Sequence, residues 1–379
     1  MTKETSHSKV LKEFKLINSI GYKEIVSHLP KSCVPIGFFC PYVPEELIHA
    51  AGALPFRLMG TSIKMSHVQA HLPPNCCHLV KSSLESLLQG ELDFLKAIIF
   101  SHTCDAMQGL ADIWALQRRT PIQFNLMMPS HLDSELSRAY LKVEIERFKN
   151  FLESNVGIIT PQNLKGSIQL FNRIRERLQE IYARRQRGHT QITTSDFARI
   201  IQAGYLMDRE RYLEHINDLL NGLPGEAEES KNLIPLFLSG NMIHSDAYFS
   251  LIEEAGGIVV QDDLCSGMRF LHLMVPEDTD PIEGLTNRYF SSFLCPTKYK
   301  GAYAHIETLL EKVQKSGAKG VIFFLYKYCE THYFDYPDLK QALESKGIPT
   351  LLLEVEDPLY AREQLKIRIQ AFVEMLSPL

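Results

Sequence analysis

The sequence has no long hydrophobic run. Nowhere in its 379 residues does an uninterrupted apolar stretch approach the roughly 20 residues that a membrane-spanning helix needs. The first fifteen residues are polar and charged, without the apolar centre of a secretion signal. We therefore expect a cytoplasmic protein that does not associate with membranes.

A surplus of basic residues is also missing. The chain carries 40 Lys and Arg against 45 Asp and Glu, for a formal net charge of -5, so neither nucleic acid nor an anionic membrane surface is an expected partner. The turn Ser239-Gly240-Asn241 after a predicted strand holds one glycine, which makes neither a dinucleotide fingerprint nor a P-loop. Nucleotide binding by this chain itself is disfavoured.

Closely spaced cysteine pairs are absent as well. The eight cysteines include no pair separated by two to four residues, which argues against zinc knuckles and against a Cys-x-x-Cys redox pair. Because cytoplasmic thiols are kept reduced, eight cysteines indicate metal binding or catalysis before disulfides.

Buried strands alternate with helices in both halves of the chain. The stretch Gly320 to Glu330 contains one such strand and places Cys329 where the strand ends, with a crossover helix expected at Asp338 to Lys346. The pattern predicts an α/β protein with two Rossmann-like parallel-sheet domains joined by a helical segment. We expect a helical lead-in at 1–20, a first α/β domain at 21–133, a helical middle at 134–230 and a second α/β domain at 231–379.

Seven cysteines lie where strands end or helices begin. Cys40, Cys104, Cys265 and Cys329 follow predicted strands, while Cys76, Cys77 and Cys295 fall in turns before helices. Any one of them alone could be a small core residue, but their repetition at the functional edge of α/β sheets favours a shared role. Thiols dispersed in this way fit an iron-sulfur cluster between the two domains, and a cubane held by three cysteines keeps one iron open.

Several motifs in order resemble the 2-hydroxyacyl-CoA dehydratase and benzoyl-CoA reductase superfamily. They are Phe39 to Leu47, Ala50 to Pro55, His102 to Asp105, Lys327 to Glu330 and Tyr336 to Lys340. The resemblance covers essentially the whole chain. It implies an oxygen-sensitive iron-sulfur cluster that receives electrons from a separate ATP-hydrolysing activator with a cluster of its own. It also implies that Cys40, Cys104 and Cys329 bind one [4Fe-4S] cubane.

The remaining cysteines extend this pattern. Cys76 or Cys77, with Cys265 and Cys295, makes a second set of three, so the chain most resembles the double-cubane cluster branch, which is homodimeric and reduces small molecules in an ATP-driven reaction. One alternative is a single-cubane dehydratase or reductase subunit that works with a homologous second subunit on an acyl-CoA. Another is a non-catalytic electron carrier.

Acid-base residues near these cysteines are candidate proton donors: His102, Glu330, His332 and Glu46. A reductant paired with a nearby acid is what reductive or eliminative chemistry requires. Asp105 is a further candidate, although capping of the following helix is the role we favour for it.

Overall fold

The computed structural model describes residues 6–187, 191–223, 233–291, 295–356 and 362–377. The predicted boundary between residues 230 and 231 lies outside these ranges, and the division into domains stays a prediction. Among the described residues, no helix combines the length and apolar character needed to cross a bilayer.

The first sheet has four parallel strands in the order β2-β1-β3-β4. They are β1 (Pro35–Phe38), β2 (Leu54–Arg57), β3 (Ala97–Ser101) and β4 (Ile122–Leu126). The first three are buried along their whole length, which is why they are mostly apolar instead of alternating. The helices of this half are α1 (Ser6–Ser19), α2 (Tyr22–Ser27), α3 (Glu45–Ala50), α4 (His78–Leu88) and α5 (Asp105–Gln117), with a short 3₁₀ turn at Val68–Ala70.

The middle of the chain is helical. It consists of α6 (Glu135–Asn155), α7 (Pro161–Gln186), α8 (Thr194–Gly204) and α9 (Arg209–Gly222). Each of these helices begins after a residue whose side-chain oxygen accepts a hydrogen bond from the first turn: Ser134, Thr160, Thr193 and Asp208. Such caps fix where a helix starts.

The second sheet repeats the topology of the first. Its four parallel strands have the order β6-β5-β7-β8, with β5 (Ile234–Gly240), β6 (Gly257–Leu264), β7 (Gly320–Tyr326) and β8 (Thr350–Val355). The helices are α10 (Ala247–Glu254), α11 (Met268–Leu271), α12 (Pro281–Ser291), α13 (Ala304–Ser316), α14 (Glu330–Ser345) and α15 (Arg362–Leu376). The predicted α/β class with two parallel sheets is confirmed.

One predicted helix boundary is wrong. The sequence predicts the crossover helix after β7 at Asp338 to Lys346, before Gly347. Instead α14 begins at Glu330 and contains Pro337. Cys329 is therefore the residue immediately before a long helix, not part of a loop.

Candidate active site

Four of the predicted cysteines follow the carboxyl ends of strands. Cys40 follows β1, Cys104 follows β3, Cys265 follows β6 and Cys329 follows β7, each within three residues. The strand order reverses between β1 and β3 in the first sheet and between β5 and β7 in the second. Open α/β sheets bind ligands at such switch points, so three of these cysteines stand where this fold places its chemistry.

Three cysteines occupy helix N-caps, and we call them the N-cap trio. Cys77, Cys104 and Cys329 precede α4, α5 and α14, and none makes the side-chain capping bond that Ser, Thr or Asp makes in the middle helices. Burial raises the pKa of each of these thiols, and the first-turn backbone N–H groups of Val80, Met107 and His332 oppose that rise. A helix N-terminus also carries partial positive charge, which stabilises a thiolate.

The members of the N-cap trio interact with one another across the two halves of the chain. Burial raises the pKa of the Cys77 thiol, and Cys329, Cys104 and Cys76 raise it further. Burial likewise raises the pKa of Cys329 to about 11, with Cys104 again contributing. Burial also raises the pKa of Cys76, on which Lys81 and Glu330 act in opposite directions.

Cys40, Cys265 and Cys295 form a second group, the arginine trio. Burial raises the pKa of Cys40 to about 12, and the Cys295 and Cys265 thiols add to the effect. Burial also raises the pKa of Cys265, while Arg269 and Arg57 oppose it. Cys104 interacts with Cys295, so the two trios are neighbours.

Asn241 fixes the end of β7 and contacts a sulfur of the N-cap trio. Its Nδ2 donates to the Cys329 Sγ at 2.9 Å, and its Oδ1 accepts from the Tyr326 backbone N–H at 2.8 Å. Gly240 makes this approach possible: its φ is +140°, and a Cβ there would lie 2.0 Å from the Phe324 carbonyl oxygen. Asn241 follows β5 as Cys40 follows β1.

Cationic side chains surround the arginine trio. The Arg269 guanidinium donates to the Cys265 Sγ at 3.1 Å, and Arg57 donates to the Cys265 carbonyl at 2.8 Å. Lys298 interacts electrostatically with Cys295 and Cys40. Arg57, Arg269 and Lys298 are all buried, so their charges act with little screening by water.

Glu46, a predicted proton donor, lies in a buried ion pair. Its carboxylate pairs with Arg175 and accepts a hydrogen bond from the Tyr289 hydroxyl at 3.3 Å. Although burial raises the pKa of Glu46, Arg175 and Arg288 hold it below its usual range. This environment keeps the carboxylate charged, which suits an ion pair better than proton donation.

The other predicted proton donors lie close to the cysteines. His102 is half-buried, and its backbone N–H donates to Leu126. Glu330 and Asp105 are exposed in the first turns of α14 and α5. His332 lies one turn beyond Cys329, and burial, aided by Arg269, lowers its pKa to about 3.

Two cavities are lined by residues that adjoin the cysteines in the sequence, although no described cysteine lines either. One of about 730 Å³ lies between the loop before Cys76 and the loop before Cys329, with Pro74, Lys81, Tyr328 and Arg368 in its wall. The other, of about 310 Å³, opens beside Cys295 and is lined by Pro296, Lys298, Tyr299 and the paired side chains of His305 and Asp335, among others. Either could admit a small molecule.

The donor set fits a multi-iron group better than a single ion. In the described part of the chain, no three His, Cys, Asp or Glu side chains come close enough to hold one metal ion together. Ligands of a cluster stand farther apart, because each binds a different iron. The predicted cysteines are all free thiols that share a mostly buried region, as thiolate ligands of a cluster would be.

Two parallel sheets of the same strand order, with three thiols at their switch points, make this an α/β protein with a thiol-rich site. Residues 40–376 match the family model described as 2-hydroxyglutaryl-CoA dehydratase, D-component. The chain belongs to this family, as its motifs predicted.

The curated relatives belong to several different enzymes. The (R)-phenyllactyl-CoA dehydratase beta subunit of Clostridium sporogenes is 26% identical, covering 98% of this chain and 100% of the relative. The lactoyl-CoA dehydratase beta subunit of Anaerotignum propionicum is 26% identical, covering 90% and 91%. A benzoyl-CoA reductase subunit of Thauera aromatica is also 26% identical, covering 83% of this chain and 83% of the relative.

Four residues of the site were not predicted from the sequence: Asn241, Arg57, Arg269 and Lys298. Asn241 could have been found from the repeated topology, since it is the counterpart of Cys40. Arg269 stands four residues after Cys265, but α11 begins only at Met268 and Gly267 before it is not helical, so this spacing gives no reliable signal of their contact. Arg57 gives no such signal, because its contact with Cys265 joins residues 208 positions apart.

Proposed function

We propose that this chain is an iron-sulfur reductase component that takes low-potential electrons from a separate ATP-hydrolysing activator and reduces a small molecule at a double-cubane cluster. The observation that carries the proposal is that six free cysteines from both halves of the chain act electrostatically on one another, with Cys104 and Cys295 linking the two trios. Three thiolates suffice to hold a cubane with one open iron. Family membership supports the same function, since the relatives are dehydratase and reductase subunits.

The neighbour relations favour a division of ligands different from the one that the resemblance implies. Cys77 joins Cys104 and Cys329, whereas Cys40 joins Cys265 and Cys295. We assign one cubane to each trio, and we favour Cys77 over Cys76 because Cys77 interacts with both other N-cap sulfurs. When bound, such clusters would accept and pass single electrons.

The chain's own residues would hold the thiols and exclude water. Asn241 and Arg269 each donate a hydrogen bond to one sulfur, and Cys77 is buried while the other five thiols of the two trios are half-buried. His102 and Glu330 are proposed to supply protons for the reduced molecule, and His332, whose pKa is lowered to about 3, is proposed to position or accept one. We assign Glu46 a structural role because of its ion pair with Arg175.

The second candidate is a single-cubane subunit of an acyl-CoA dehydratase or reductase. The relatives' names favour it, since two of them are beta subunits of dehydratases and the third is one subunit of a reductase. In that case Cys40, Cys104 and Cys329, the set that the resemblance implies, would bind one cluster, and a homologous partner would complete a heterodimer. The double-cubane proposal instead expects a homodimer.

Iron content after anaerobic purification tests the two candidates. A double cubane requires about eight irons per chain, and a single cubane about four. Cys265→Ser is expected to lower a count of about eight towards four, because it removes a ligand of the arginine trio. A wild-type count of about four would overturn the double cubane in favour of the single-cluster subunit.

Cys33→Ser is the matched control. Cys33 is a half-buried free cysteine outside both trios, so its replacement should leave the iron content unchanged.

Turnover of a small test substrate with activator and ATP then separates an enzyme from a carrier. A loaded, reducible protein that turns over no substrate under these conditions would favour the electron-carrier alternative.

A further inference from the structure

The arginine trio lies in a positively charged part of the protein interior. Arg57, Arg269 and Lys298 act on its thiols, opposed by Asp263. Asp263 is itself shared, accepting from Arg269 at 3.2 Å and from Lys312 at 2.8 Å. The negative charge of Asp263 offsets the positive charge of Lys312, so the charges of Arg57, Arg269 and Lys298 remain.

The N-cap trio has nearly balanced surroundings. Three helix N-termini supply about half a positive charge each, but Asp105 and Glu330 stand in the first turns of α5 and α14 and offset them. The hydrogen bond to Cys329 comes from the neutral amide of Asn241. The charged side chains therefore make the surroundings of the arginine trio more positive than those of the N-cap trio.

We propose that the two trios hold redox centres of unequal potential, that the higher potential belongs to the arginine trio, and that Arg269 is the main residue that sets the difference. This inference rests on the proposed function, in which both trios bind clusters. Reduction adds one negative charge to a cluster, and nearby cations and sulfur hydrogen bonds stabilise that charge. Arg269 supplies both, because it is a buried cation bonded to the Cys265 sulfur.

A single electron added to the protein should therefore reside on the arginine trio. Whichever trio first receives an electron from the low-potential donor, the one-electron-reduced protein holds it beside Arg269. The N-cap trio is then the last to be reduced.

Anaerobic potentiometric titration of iron-loaded protein, followed by absorbance and electron paramagnetic resonance, tests this order. We expect Arg269→Gln to lower the reduction potential of the higher couple by about 59 mV or more. This is a tenfold fall in the equilibrium constant for one-electron reduction. The lower couple should move less. Arg269→Lys keeps the positive charge, so the potential of the higher couple should stay close to its wild-type value.

Asn241→Leu is the paired variant at the other trio. It removes the hydrogen bond to Cys329, so it should decrease the reduction potential of the lower couple. The potential of the higher couple should stay closer to its wild-type value. Lys298→Met provides a second route to the arginine trio that does not disturb the bond to Cys265, and it should also lower the higher couple.

Iron counts keep the two proposals separate. A wild-type count of about four refutes the double cluster itself. With about eight irons in the variants, a larger shift of the lower couple by Arg269→Gln overturns the inference. Should Arg269→Gln fail to load iron, Lys298→Met decides: an unchanged higher couple overturns the inference, and a lowered one supports it.

Discussion

At the scale of single residues, the site rests on charges buried beneath it. Glu45 and Glu46 begin α3, a few residues after Cys40, and both are buried. Glu45 pairs with Arg209 at 2.9 Å, and Glu46 pairs with Arg175. These pairs connect the first sheet to the middle helices, so they hold the loop that carries Cys40.

Removing one partner of such a pair should cost much more than the pair contributes. Glu46→Gln leaves the Arg175 charge uncompensated in the interior, and we expect a loss of about 3–5 kcal/mol in the free energy of unfolding. Denaturant unfolding of the iron-free chain, followed by the fluorescence of the buried Trp114, measures this loss. A change below about 1 kcal/mol would contradict the assigned role.

The effect should also depend on pH. Since the folded pKa of Glu46 lies below its ordinary value of 4.5, the ion pair's contribution is present above about pH 4.5 and is lost as pH falls further. The difference between wild type and Glu46→Gln should therefore shrink in acid. Glu311→Gln removes an exposed ion pair with Lys315 and serves as the control, for which we expect no measurable change.

At the scale of elements, the junction of β5 with the following loop depends on one glycine. Gly240 combines a φ of +140° with direct contact to the backbone of β7. Gly240→Ala introduces both an unfavourable backbone conformation and a clash with the Phe324 carbonyl, so we expect a loss of about 3 kcal/mol or more in stability. Asn241 would be displaced from Cys329, and the iron content should fall with it.

Gly109→Ala is the matched control for that substitution. Gly109 lies inside α5, and a Cβ there meets nothing within 4 Å. Alanine at this position should stabilise the helix by about 1 kcal/mol, because glycine is the poorer helix former. Equal losses for the two variants, measured by the same unfolding experiment, would refute the special role of Gly240.

The sequence predicted the elements well, because each strand is an apolar run bounded by turns and each helix carries local signals. The thiols at Cys104, Cys265 and Cys329 could be placed at strand ends for that reason. The start of α14 could not be predicted, since proline is unfavourable inside a helix and yet α14 continues through Pro337. The contacts of Asn241 and Arg57 were also out of reach, because they depend on which strands become neighbours.

At the scale of the whole molecule, the two halves are joined at the cysteines. The first sheet and the second have the same strand order, and Arg57 at the end of β2 donates to Cys265 at the end of β6. Next to Cys77, the His78 ring stacks on His244 of the second half at 4.9 Å between centroids. His244 in turn contacts the Tyr326 hydroxyl at 2.6 Å and the Ser62 hydroxyl at 3.3 Å.

This stack predicts a pH dependence of folding. Burial and the neighbouring His78 lower the pKa of His244 to about 3 from 6.5. Between these values the unfolded chain binds a proton at this residue and the folded chain does not, so the free energy of unfolding falls as pH decreases. The slope from this residue reaches at most about 1.4 kcal/mol per pH unit.

His244→Gln should flatten that slope in the iron-free chain, since glutamine does not titrate. The measurement is denaturant unfolding at several pH values between about 6.5 and 4, the range in which His244 titrates only in the unfolded chain, and the slope is informative even if the variant is less stable at every pH. His71→Gln replaces an exposed ring and should keep the wild-type slope. An unchanged slope in His244→Gln would show that the stack of the buried His78 ring on the half-buried His244 ring is not what makes the folded chain sensitive to acid.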